Sequence, residues 1–148
     1  MENAITDLLD AIIPELGNLM SDIRFWLGAV MVLGPLFALL LGGYYLYLAP
    51  KEANHKAGYR TYFGMGSVEA WHYTQKLAGQ VFLIAGGVMA VVAIVGCIIL
   101  AGKETADAVM PSMVILIIQL VVALGAFGFV EVMVARRFDT NGQIRESK

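Results

Sequence analysis

The sequence predicts an all-α integral membrane protein with three transmembrane helices, preceded by an N-terminal amphipathic helix. Three observations carry this. The 148 residues are 59 % apolar and only 15 % charged, where a soluble domain carries about 25 % charge. Three long runs contain no charged residue: Phe25–Leu48, Leu77–Gly102 and Ala108–Val130. The Lys and Arg residues fall into two unequal groups of flanks, as a protein with a fixed orientation in a bilayer requires.

The runs are 24, 26 and 23 residues long. At a rise of about 1.5 Å per residue, about 20 residues cross a hydrocarbon core of roughly 30 Å. Lipid offers no hydrogen bonds to the backbone, so each run is expected to be helical. The spans are placed at about 25–48, 77–102 and 108–134, with a loop over 49–76 and a tail over 135–148. The loop holds Lys51, Lys56, Arg60 and Lys76, and the tail Arg136, Arg137, Arg145 and Lys148. The opposite flanks hold only Arg24 and Lys103. Eight against two puts loop and tail in the cytoplasm and the N-terminus outside. Tyr44, Tyr45 and Tyr47 at one end of the first span, and Phe25 and Trp26 at the other, match interfacial aromatic belts.

Residues 5–20 repeat apolar side chains at helical spacing, from Ile5, Leu8 and Leu9 to Leu16, Leu19 and Met20. This predicts an amphipathic helix within 1–22 lying on the outer surface, broken or restarted at Pro14. The segment has five acidic residues and no basic residue before Arg24. It therefore fails as a signal peptide, which needs a basic start, and is expected to be retained.

The loop is too aromatic to be a linker. It reads Asn54-His55-Lys56-Ala57-Gly58-Tyr59-Arg60-Thr61, then Ser67-Val68-Glu69-Ala70-Trp71. Ser67 is placed to cap a helix that runs through Trp71 into the second span, with Glu69 in its first turn. Arg60 presents a planar fork of donors. An Arg60–Glu69 contact is expected to fold the loop back, with Tyr59 and Trp71 as anchors at the headgroup level. Within the spans, Gly34, Ala38 and Gly42, and Gly86 and Ala90, recur every fourth position. Such spacing lets helices approach, within one chain or between copies; self-association into a homo-oligomer is expected.

These loop residues resemble the signature of SdpI-type membrane proteins: an Asn four residues before a Gly-Tyr-Arg-Thr box, then an acidic residue before a Trp, then a Gly entering a membrane helix. Here they are Asn54, Gly58, Tyr59, Arg60, Thr61, Glu69, Trp71 and Gly79. The likeness covers about residues 50–100. It departs at Gln75, where the family often has Asn, and a better-known member is longer with more spans. The resemblance implies a bacterial inner-membrane protein with a role in immunity to a secreted peptide toxin outside, or in signalling to a regulatory protein inside.

Other chemistry finds less support. A net charge of −2 argues against nucleic-acid binding. Glu69 and His72 have the i, i+3 spacing of a metal pair, but His55 is the only other histidine; no metal or cofactor is expected. No nucleophile motif or phosphate loop occurs, so an enzyme is not expected. Cys97, the single cysteine, excludes an intrachain disulfide. The alternative is a small oligomeric channel or transporter subunit, its path lined by the intramembrane polar residues Gln80, Gln119 and Glu131.

Overall fold

A computed structural model describes residues 22–53 and 56–145. It contains three long helices, α1 (Ile23–Tyr47), α2 (Val68–Leu100) and α3 (Thr105–Arg137). Among the described residues the β structure is limited to one isolated bridge, Phe138 to Ile144. The expected amphipathic helix, and Asn54 of the loop motif, lie outside the described residues.

Each helix begins and ends for local reasons. Asp22 caps α1 by accepting from the Arg24 N–H at 2.9 Å. Ser67 caps α2 through Oγ, which accepts from Ala70 N–H at 3.1 Å. Asp107 lies in the first turn of α3 and Arg136 and Arg137 in its last, both favourable to the helix dipole. α2 and α3 are each 33 residues long, about 50 Å at the helical rise. They exceed the hydrocarbon core, so their ends project and carry the polar machinery of the protein.

α2 packs against both neighbours, most extensively against α1. The α1–α2 crossing is set by glycines. A Cβ on Gly42 would lie 2.8 Å from the Leu83 nitrogen and 3.0 Å from the Gly79 carbonyl oxygen. A Cβ on Gly86 would lie 2.9 Å from the Leu39 nitrogen. The small-residue spacing thus serves contacts inside one chain, where backbone meets backbone. The outward faces are apolar along all three helices, with Phe37, Leu40, Ile84, Ile98, Ile117 and Leu124 all more than half exposed. A surface of this kind belongs in lipid, and the chain is a multi-pass membrane protein.

The two ends of the bundle are tied separately. At one, Arg24 Nη2 donates to the Ala101 carbonyl at 3.2 Å, joining the start of α1 to the end of α2. At the other, the 48–67 loop and the segment after α3 lie side by side, and Ser67 Oγ donates to the Gly142 carbonyl at 2.8 Å. The seven described basic residues of loop and tail therefore belong to one end of the bundle.

Candidate functional site

The loop end is organised around one residue that leaves the loop and enters the bundle. Tyr59 is 7 % exposed. Its ring meets Tyr45 of α1 (centroids 5.6 Å apart), Phe82 of α2 (5.9 Å) and Phe127 of α3 (6.0 Å), and Phe82 and Phe127 meet edge to face at 4.7 Å. One loop side chain thus contacts all three helices. Its hydroxyl donates to the Phe127 carbonyl at 3.4 Å. Burial, with lesser contributions from Glu131 and Tyr45, pushes the Tyr59 phenol up to about 12. It remains a neutral donor at any physiological pH.

The backbone of Tyr59 is gripped by Gln75. Oε1 accepts from the Tyr59 N–H at 2.8 Å, and Nε2 donates to the Tyr59 carbonyl at 2.7 Å. A side-chain amide is an acceptor and a donor on one rigid plane, so it pairs with a peptide unit as a neighbouring strand would. Gly58 makes the approach feasible. Its φ is +95°, and a Cβ there would fall 2.6 Å from Trp71 Cζ2 and 3.1 Å from Gln75 Oε1. Trp71 is fully buried beneath it, with Nε1–H donating to the Pro50 carbonyl at 2.7 Å. His72 Nε2 lies 2.5 Å from the Lys51 carbonyl. Residues 71, 72 and 75 of α2 thereby hold the loop at positions 50, 51 and 59.

The rest of the loop is closed by short bonds. Thr61 Oγ1 accepts from Gly64 N–H at 2.7 Å. Thr74 bonds back to the Ala70 carbonyl at 2.7 Å. After α3, the chain turns back on itself. Asp139 Oδ1 accepts from the N–H groups of Asn141 and Gln143, Gly142 takes φ +71°, and Arg145 N–H returns to the Arg137 carbonyl. This hairpin buries Phe138 completely, with its ring against Tyr73 at 5.5 Å. Arg137 stacks over Tyr73 at 4.4 Å and Arg145 over Phe63 at 5.5 Å, as cation–π contacts.

One expectation for this region is corrected. Tyr59 and Trp71 are not headgroup anchors: both are interior, because each polar tip finds a carbonyl inside the protein. The loop does fold back, held by the amide of Gln75 and the indole of Trp71, with Arg60 and Glu69 on its exposed side.

The predicted residues sort into two sets. Gly58, Tyr59, Thr61, Trp71 and Gln75 converge in the frame just described, with Arg60 and Glu69 on its exterior. Gly79 sits at the α1–α2 crossing, where a Cβ would lie 3.0 Å from the Gly42 carbonyl oxygen. The intramembrane polar residues do not converge. Gln80 and Glu131 are exposed, on different helices, while Gln119 is buried at mid-span. Gln119 Nε2 donates to the Met31 carbonyl at 3.1 Å and lies 3.5 Å from that of Met89. The first bond has a sequence cause. Pro35 is four residues after Met31 and has no N–H to give its carbonyl. Gln119 supplies the missing donor from another helix. Sequence reasoning missed this pair, though a proline at i+4 from an intramembrane carbonyl is a readable signal. It also missed the hairpin, for which Asp139 followed by Asn141-Gly142 was the cue.

Chemically, Arg60, Glu69 and the ring of Tyr62 lie on the exposed side of the loop end. Among the described residues no three His, Cys, Asp or Glu side chains gather where a metal ion could be held. The model of the SdpI/YfhL protein family matches residues 51–130, from the start of the loop through most of α3. No curated protein and no solved structure matches the chain.

Proposed function

We propose that this chain, which belongs to the SdpI/YfhL family, protects a bacterial inner membrane against a secreted peptide toxin or relays that contact to a regulatory protein inside the cell. The carrying observation is the family match, because it opens on the loop and spans the helix that grips it. The frame around Tyr59 supports the reading: it holds Arg60 and Glu69 in fixed positions at a bundle end, as a recognition surface needs. The excess of Lys and Arg at that end favours a cytoplasmic loop and tail, with α1 starting outside. A non-enzymatic, binding role accords with a site made of hydrogen bonds that hold structure and charges that face out.

The test is survival of a sensitive bacterium expressing the chain, challenged with a panel of secreted antimicrobial peptides. Arg60→Ala removes an exposed side chain of the loop motif. The expected result is protection by the native chain and at least tenfold loss of survival with the variant at equal membrane abundance. Full protection by Arg60→Ala would remove the loop surface from the working part. No protection by the native chain against any peptide would overturn the immunity reading.

A further inference from the structure

The middle of the bundle holds a cavity of about 270 Å³, set between α1 and α3 with α2 as its floor. Gly34 and Ala38 line it from α1, Ala85 and Met89 from α2, Gln119 and Ala123 from α3. Its rim residues Phe37 and Leu120 are 63 % and 59 % exposed, so it opens toward lipid. No charged residue lines it, and Gln119 supplies its one side-chain amide.

That amide is half used. The side chain is 6 % exposed, and the carbonyls of Met31 and Met89 require its Nε2 on their side. Oε1 is therefore turned the other way, toward Gly34, where a Cβ would stand 3.8 Å from it. Among the described residues no donor reaches Oε1. Oε1 is open to the cavity, and the hydrocarbon beyond it supplies no water, so the acceptor stays unpaired at a cost. A ligand that brings one donor relieves that cost.

Surroundings and charge define the ligand. The cavity opens to hydrocarbon, where aliphatic chains are the available occupants, and the uncharged lining selects a neutral head. We infer that this cavity binds a neutral, hydroxyl-bearing aliphatic lipid from the bilayer, with Gln119 Oε1 accepting its hydroxyl hydrogen.

The experiment uses the full chain in lipid nanodiscs and a decanol probe carrying a photoactivatable diazirine, with labelled residues mapped by mass spectrometry. Saturable labelling is expected on the cavity segments 34–41 and 116–127. Unlabelled 1-decanol should compete at least tenfold better than decane. Gln119→Leu should keep the labelling and lose the preference for the alcohol. Ala123→Phe, which fills the cavity, should cut labelling about tenfold; Leu120→Trp at the rim gives the same readout should the first variant fail to fold. Labelling spread evenly over the lipid-facing surface and unchanged in the filled variant overturns the proposal, as does equal competition by decanol and decane.

Discussion

At the loop end of the bundle, side chains of α2 hold a stretch of irregular backbone: Gln75 takes both polar groups of Tyr59, and Trp71 takes the Pro50 carbonyl. At mid-span, a single side chain of α3 reaches the carbonyl of Met89 and, more closely, that of Met31, the one backbone group left over by Pro35. Both regions obey one rule, that a backbone group without a helical partner must find another. They differ in density. The loop end has several such groups over a dozen residues and answers with an interlocked frame. The middle has one and answers with one glutamine, leaving space beside it. The contrast suggests a stiff outer surface and a bundle interior that can accept a guest.

Substitutions test this contrast, and their effects should fall in order. Trp71→Ala should be the most damaging, at about 3–5 kcal/mol for a fully buried indole and its cavity. Unfolding in bicelles, titrated with denaturing detergent, measures it; a loss under about 1 kcal/mol would mean that the loop frame is not coupled to folding. Gly58→Ala should cost about 2–4 kcal/mol, since it combines a positive φ with a clash against Trp71. Gln75→Leu should cost about 2–3 kcal/mol by orphaning the N–H and carbonyl of Tyr59. Hydrogen exchange at the Tyr59 amide should accelerate in that variant, and unchanged exchange would show that the clip is incidental.

The smallest effect tests the middle. Gln119→Leu should cost about 1 kcal/mol, the scale of interhelical hydrogen bonds in membranes. In a Pro35→Ala background the Met31 carbonyl regains an intrahelical donor, so the same change should cost less than about 0.5 kcal/mol. Equal costs in the two backgrounds would separate Gln119 from Pro35 and dissolve the parallel between the regions.

Much of this was legible before any coordinates. The three spans follow from charge-free runs, and the capped start of α2 from Ser67 and Glu69, because hydropathy and capping are local properties. The loop box marked the correct residues but not their roles. Tyr59 and Trp71 look like interfacial anchors in sequence, since nothing local shows that Phe127, nearly seventy residues on, will offer a carbonyl to a phenol. Gln75 looks like an ordinary polar position for the same reason, and only folding shows that its amide meets the backbone of Tyr59.

Sequence alone marks three runs long enough to cross a membrane and the flanks rich in Lys and Arg, because the bilayer imposes length, polarity and charge rules that read residue by residue. The tertiary structure decided which polar groups meet. Gln75 with Tyr59, Gln119 with Met31, Ser67 with Gly142 and the ring of Tyr59 among three helices all join residues distant in the chain. Their geometry depends on how closely the glycine-lined helices pack, and that is a property of the assembled bundle.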